Sequence, residues 1–142
     1  MSKKKVLFIC IHNSARSQMA EAFLDHLAGQ SYQAESAGLE PGELNPLVVE
    51  VLKEDGIDIS GKRTKSVHDI YRQGRSYDYV ITVCSAQARQ RCPVFPGRAE
   101  MMHWPFEDPS SFKGSRQEKL EKTRKIRDKI KKRIKEFIER PG

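Results

Sequence analysis

Three thiols, one arginine and one carboxylic acid stand out among 142 residues as groups able to do chemistry. Cys10 opens the octet Cys10-Ile11-His12-Asn13-Ser14-Ala15-Arg16-Ser17, in which an arginine stands six positions after a thiol and a serine follows it. A loop that closes onto a helix N-terminus turns backbone N–H groups inward and adds the positive end of the helix dipole, which together make a cradle for a tetrahedral oxyanion. The same field favours a thiolate, the nucleophilic form of cysteine. The planar fork of Arg16 can clasp two oxygens of such an anion, as a lysine point charge cannot, and the Ser17 hydroxyl can donate to the sulfur. A cysteine closing a buried strand is often an inert small hydrophobe. The arginine and the strand-loop-helix setting argue here for a nucleophile instead.

Cys84 ends the apolar run Val80-Ile81-Thr82-Val83, and Cys92 follows across the polar stretch Ser85-Ala86-Gln87-Ala88-Arg89-Gln90-Arg91. The carboxyl end of a strand in an open α/β sheet is where the ligand crevice forms, so Cys10 and Cys84 are expected at one crevice. If their strands are neighbours, a spacing of about 4.8 Å suits the roughly 4.4–6.8 Å between Cα atoms that a disulfide needs. Zinc is the competing use of scattered thiols. No C-x2-C pair exists, and His12, His68 and His103 are not spaced as ligands, so no metal is expected.

Asp108 lies in Trp104-Pro105-Phe106-Glu107-Asp108-Pro109. A loop carboxylic acid can protonate a departing oxygen, although Asp-Pro by itself also starts turns.

The elements that must position these groups follow from hydrophobic spacing. Residues 5–9 read as a central strand, and Met19, Ala20, Phe23, Leu24 and Leu27 as the apolar stripe of a helix beginning at Ser17 and capped by Gly29. Residues 32–37 form a weaker strand ending at Gly38. Asn45-Pro46 starts a second helix that closes near Gly56. Residues 66–73 read as a short helix, 79–83 and 99–104 as strands, and 115–139 as a long terminal helix with Leu120, Ile126, Ile130, Ile134, Phe137 and Ile138 on one face. Strands alternating with helices predict an α/β chain with a mainly parallel sheet.

Cys-x5-Arg-Ser near the start of the chain resembles the phosphate loop of low-molecular-weight protein tyrosine phosphatases, which the thioredoxin-coupled arsenate reductases share. Cys10 to Glu21, Ser36-Ala37-Gly38, Asn45-Pro46 and Ile57-Asp58-Ile59-Ser60 resemble the reductases most, and the likeness spans nearly the whole sequence. It implies a three-layer α/β/α fold with a central four-stranded parallel sheet in the order 2-1-3-4. It implies arsenate as substrate, with phosphate or sulfate as mimics, and Cys10, Arg16, Cys84, Cys92 and Asp108 as catalytic residues. The implied reaction is a relay in which Cys10 attacks arsenic, Cys84 then Cys92 take over the oxidation as disulfides, and thioredoxin, rather than any bound cofactor, supplies electrons. The stretch between Cys84 and Cys92 would be helical in the reduced state. Eight residues of helix would hold those thiols about 12 Å apart, so it must loosen as they join. The alternative is a phosphatase using Cys10, Arg16 and Asp108. Phosphatases follow the Asp-Pro with tyrosines, where Ser110 and Ser111 stand here.

Three positions depart from the resemblance. His12 stands where many relatives have glycine, which places a left-handed backbone angle there. Ala15 replaces a cysteine common among reductases. Lys65, in Gly61-Lys62-Arg63-Thr64-Lys65, stands near where potassium-binding members supply an aspartate beside residues matching Asn13, Glu21 and Ser36. The Lys65 ammonium is expected in place of the ion.

Composition excludes several classes. The length suits one domain over residues 1–142. An odd count of three cysteines in a chain that is 37% hydrophobic does not suit a secreted disulfide scaffold. No signal segment or membrane span is visible, so a cytoplasmic monomer is expected. Residues 112–142 hold 13 of the 26 Lys and Arg but 5 of the 19 Asp and Glu, so the net charge of +7 belongs to the terminal helix. That helix lacks aromatics interleaved with its charges, and neither nucleic acid nor a membrane surface is expected as partner.

Overall fold

The computed structural model describes residues 3–85, 90–93, 95, 97 and 99–140. Its sheet is built from β1 (Lys4–Cys10), β2 (Tyr32–Gly38), β3 (Tyr79–Thr82) and β4 (Glu100–His103), all parallel and ordered β2-β1-β3-β4. This is the order expected. Val6 to Cys10 are all buried because β1 is covered on both faces, which is why an unbroken apolar run marks the centre of a parallel sheet. The register pairs Ile9 with Thr82 and Cys10 with Gly38. The carboxyl ends of β1, β2 and β3 therefore meet at one edge.

Helices α1 (Arg16–Ala28), α2 (Pro46–Lys53), α3 (Val67–Arg72) and α4 (Arg116–Glu139) connect and cover the strands. The chain steps from β1 one way to β2 and then back across to β3. Helix α1 covers β1 and β2 on the way. Met19, Ala20, Phe23 and Leu24 of α1 are buried as the stripe predicted, whereas Leu27 is exposed because the last turn of α1 leaves the packed face. Helix α2 starts as Asn45-Pro46 predicted, with the Asn45 side chain accepting from Leu47 N–H. A reciprocal capping box between Ser115 and Glu118 starts α4.

Helix α4 packs on α1 and α2 and buries Leu120, Ile126, Ile130, Ile134 and Phe137, the last against the rings of Tyr32, Tyr79 and Trp104. Part of its charge is paired rather than merely solvated. Arg116 bonds Glu50, Arg124 and Arg127 reach Glu54 at 2.8 and 2.7 Å, and Lys131 lies 3.4 Å from Asp55. The two arginines hold the Glu54 carboxyl below its ordinary range through direct hydrogen bonds, Arg124 first. Among the described residues, no helix is long and apolar enough to cross a membrane.

Candidate active site

Cys10 is the last residue of β1 and is 2% exposed. The chain then turns through residues 11–15 into α1, whose first helical residues are Arg16 and Ser17. The N-cap position of α1 is Ala15, and no side chain caps it. In contrast, α2, α3 and α4 have Asn45, Ser66 and Ser115 on their first N–H groups. The uncapped amides of a 13-residue helix thus face the loop that begins at Cys10, an arrangement suited to an oxyanion.

The loop is held from behind. Leu39, Glu40 and Gly42 donate their N–H groups to the carbonyls of Cys10, Ile11 and His12 at 3.1, 2.7 and 3.0 Å, so the chain after β2 zips along it. His12 Nδ1 lies 2.8 Å from the Glu40 carbonyl oxygen. A carbonyl only accepts, so Nδ1 carries the hydrogen. The left-handed residue is Asn13 (φ 55°), not His12 as expected. Asparagine tolerates that region through its short polar side chain, and here the side chain is put to use.

Asn13 is fully buried. Its Oδ1 accepts from Lys65 N–H at 2.9 Å and Gln18 Nε2 at 3.2 Å, which leaves Nδ2 to donate to Ser17 Oγ at 2.8 Å. Ser17 Oγ lies 2.8 Å from Cys10 Sγ, and Asn13 N–H donates to the same sulfur at 3.1 Å. Sequence reading placed Asn13 in the loop but missed it as the junction of this network. The only available signal was asparagine itself in a turn.

Arg16 is buried, with Nη1 donating to the Phe106 carbonyl at 3.1 Å and Nη2 3.7 Å from Asp108 Oδ2. Asp108 therefore faces the arginine of the loop. It also caps the 3-10 turn Pro109–Ser111, its Oδ1 accepting from Ser110 N–H at 3.0 Å. Of the two readings of Asp-Pro, the turn starter is the one seen directly.

Cys84 lies two residues beyond the end of β3 and is fully buried. Burial raises its thiol above the ordinary range, opposed by the positive charge of Arg16 and reinforced by Cys10. Cys10, Arg16 and Cys84 thus share one electrostatic neighbourhood. Cys92 is half-buried, its sulfur 3.5 Å from the Pro93 carbonyl, and burial followed by the charge of Cys84 pushes its thiol up to about 11. Next to it, Arg91 pairs with Glu40 at 2.6 Å, tying this flank to the segment behind the loop. The helix expected between Cys84 and Cys92 falls largely on residues 86–89, outside the described residues.

Asn13, Glu21 and Ser36 do not fit a potassium ion. Glu21 is buried, and its Oε1 accepts from Ser36 Oγ at 2.6 Å while its Oε2 accepts from Lys62 Nζ at 3.1 Å. Lys65 Nζ stands farther off, 4.0 Å from Oε1, so Lys62 and not the expected Lys65 makes the closer ammonium contact. Lys65 serves chiefly through its backbone N–H, on Asn13. Gln18 Oε1 is the one buried oxygen of this cluster without a hydrogen-bond partner, and a lone amide oxygen holds no cation. Nothing in the sequence separated Lys62 from its basic neighbours. Among the described residues, no group of three or more His, Cys, Asp or Glu side chains could hold a metal ion.

The sequence matches the low molecular weight phosphotyrosine protein phosphatase family over residues 5–140. It is 39% identical over 140 residues to an arsenate reductase of Shouchella clausii, covering 98% of both chains. Among solved structures, it is similar to the low molecular weight protein tyrosine phosphatase of T. tengcongensis, with TM-score 0.76 and 29% identity over 96% of this chain and 99% of that one. It is also similar to a Corynebacterium glutamicum thioredoxin-dependent arsenate reductase, with TM-score 0.63 and 36% identity over 94% of this chain and 62% of that one.

Proposed function

The chain belongs to the low molecular weight phosphotyrosine protein phosphatase family, and from that premise we propose that it reduces arsenate to arsenite by a three-cysteine relay regenerated by thioredoxin. The observation that carries this reading is the placement of Cys84 beside Cys10 and Arg16, at the carboxyl end of the strand next to β1. A phosphatase needs the loop, Arg16 and the acid. Its reaction leaves a second thiol in the electrostatic field of the first idle.

Arsenate binds against the uncapped N-terminus of α1, with Arg16 turning part of its guanidinium from Phe106 and Asp108 to the anion. Cys10 sulfur attacks arsenic, the As–O bond to the leaving oxygen breaks, and Asp108 gives that oxygen a proton so that it departs as water. Cys84 then attacks the sulfur of Cys10. The S–As bond breaks with its electron pair on arsenic, which leaves as arsenite, reduced by two electrons, while the two thiols become a disulfide. Cys92 attacks Cys84 and frees Cys10, and thioredoxin reduces the resulting Cys84–Cys92 disulfide.

The test is a coupled assay with arsenate, thioredoxin, thioredoxin reductase and NADPH on the parent, Cys84→Ser and Cys92→Ser. Arsenate-dependent NADPH oxidation is expected for the parent alone, and Cys92→Ser should stop after one turnover with a Cys10–Cys84 disulfide, seen as a loss of about 2 Da by intact mass. Turnover unaffected by either replacement overturns the relay.

A further inference from the structure

Asn45 reaches three separate parts of the molecule. Its backbone N–H donates to the carbonyl of Ser14 in the oxyanion loop at 3.0 Å. Its Oδ1 accepts from Leu47 N–H at 2.9 Å, which caps α2 and settles the orientation of the carboxamide, since a backbone N–H can bond only the oxygen. Its Nδ2 then donates to Ser110 Oγ at 3.0 Å. Ser110 stands in the turn that Asp108 caps, and its own N–H holds Asp108 Oδ1 at 3.0 Å. Ser111 closes the same turn, with its N–H and Oγ on the Asp108 carbonyl at 3.0 and 2.7 Å.

These bonds decide how the carboxyl of Asp108 presents itself. With Oδ1 engaged as an acceptor, a proton on the acid sits on Oδ2, the oxygen that faces Arg16. The distance of that oxygen from the loop depends on what ties the acid turn down. Arg16 is one tether, through the Phe106 carbonyl, but part of the same guanidinium is needed for the anion. The tether through Asn45 uses no group that binds substrate.

We propose that Asn45 is a positioning residue that ties the acid turn, through Ser110, to the oxyanion loop, through Ser14, and so fixes Asp108 relative to Cys10. The inference rests on Asp108 being the acid of the reaction above. A misplacement of about 1 Å in such a group costs up to about 10²-fold in rate, so a single exposed hydrogen bond that limits drift of the turn is worth a smaller factor, about 3–10-fold.

The experiment is a mutant cycle on the full chain, read as the single-turnover rate of Cys10–Cys84 disulfide formation from arsenate in the Cys92→Ser background. Ser110→Ala removes only the hydroxyl of an exposed residue and keeps the N–H on Asp108. Asn45→Ser keeps a good helix cap but is too short to reach Ser110. Each should lower the saturating rate about 3–10-fold with the half-saturating arsenate concentration within about twofold. In the Asp108→Asn background, itself slowed about 10²-fold or more, both should then change the rate less than about twofold. Equal losses in the two backgrounds, or no loss from Ser110→Ala with Asp108 intact, overturn the positioning role. If Asp108→Asn is itself without effect, the assignment of the acid fails and the inference goes with it. Should Asn45→Ser not fold, Ser110→Ala alone decides between these outcomes.

Discussion

Ser17 donates its hydroxyl hydrogen to Cys10 Sγ across 2.8 Å when that sulfur is a thiolate, because Asn13 Nδ2 already donates to the serine oxygen at 2.8 Å. The direction is settled two bonds away. Lys65 N–H can bond only the oxygen of the Asn13 carboxamide, so the nitrogen must point to Ser17. Together with Asn13 N–H at 3.1 Å, the nucleophile then receives two hydrogen bonds that strengthen as charge builds on sulfur.

Ser17→Ala removes one of those donors and leaves Asn13 Nδ2 buried without an acceptor. A hydrogen bond to a charged group contributes about 1.5–3 kcal/mol, and each 1.4 kcal/mol is a factor of about ten. Alkylation of Cys10 by iodoacetamide, measured near neutral pH in a Cys84→Ser/Cys92→Ser background, should slow about tenfold or more. An unchanged alkylation rate overturns the donor role of Ser17.

Cys92 predicts a pH dependence. Its thiol is pushed up by burial first and by the charge of Cys84 second; the second cause is gone once Cys84 is in the disulfide, but burial still keeps the thiol protonated and a poor nucleophile near neutral pH. Transfer of the disulfide from Cys10–Cys84 to Cys84–Cys92 should therefore speed up about tenfold per pH unit between pH 7 and 9, where the thiolate fraction grows in proportion. Quenched single turnovers without thioredoxin measure it, and a flat profile counts against attack from the folded environment. The sign for stability is opposite. A thiol whose folded value is raised contributes fully below the unfolded value near 8.5, and loses that contribution as pH climbs through the window up to about 11.

Short-range geometry was legible in the sequence, and long-range pairing was not. Cys10, Arg16 and Ser17 could be read because a strand, a loop and a helix start lie within one octet. Cys84 could be placed because β3 carries its own apolar signature. The sheet order came with the family likeness rather than from periodicity. The groups that hold the site, in contrast, meet across 41 residues for Lys62 and Glu21 and 65 for Asn45 and Ser110. No local pattern marks such partners. Asn45 was visible only as a helix cap, and its outward carboxamide nitrogen acquires meaning once the acid turn is folded against it. The left-handed angle moved from His12 to Asn13 for a similar reason, since the bond that rewards it comes from Lys65.

Lys62 predicts indifference to potassium. With Glu21 already bonded by Ser36 and Lys62, and Lys65 4.0 Å away, a potassium ion would have to displace an ammonium. Turnover and melting temperature should agree within about twofold and about a degree between potassium and sodium at equal ionic strength. Lys62→Ala should cost about 1 kcal/mol, a modest figure because the lysine is half exposed although the carboxylate is buried. Strong activation of the parent by potassium overturns this account.

Gly38 makes the most stringent prediction about the loop itself. A Cβ there would stand 2.7 Å from Ile11 O, 2.8 Å from Asn13 N and 2.8 Å from His12 C, all backbone atoms of the oxyanion loop. No flexible side chain is present to give way, and Gly38 is fixed on its other side by its N–H to the Lys65 carbonyl at 2.8 Å. In Gly38→Ala the loop must therefore move away from β2. Overpacking of this kind costs about 1–3 kcal/mol, and the displaced Asn13 N–H would also leave Cys10 Sγ, which it meets at 3.1 Å. The expected outcome is a chain that still folds, with a melting temperature lower by several degrees, but whose Cys10 alkylates at least about tenfold more slowly. If Gly38→Ala keeps the parent alkylation rate, contact with β2 does not set the shape of the loop.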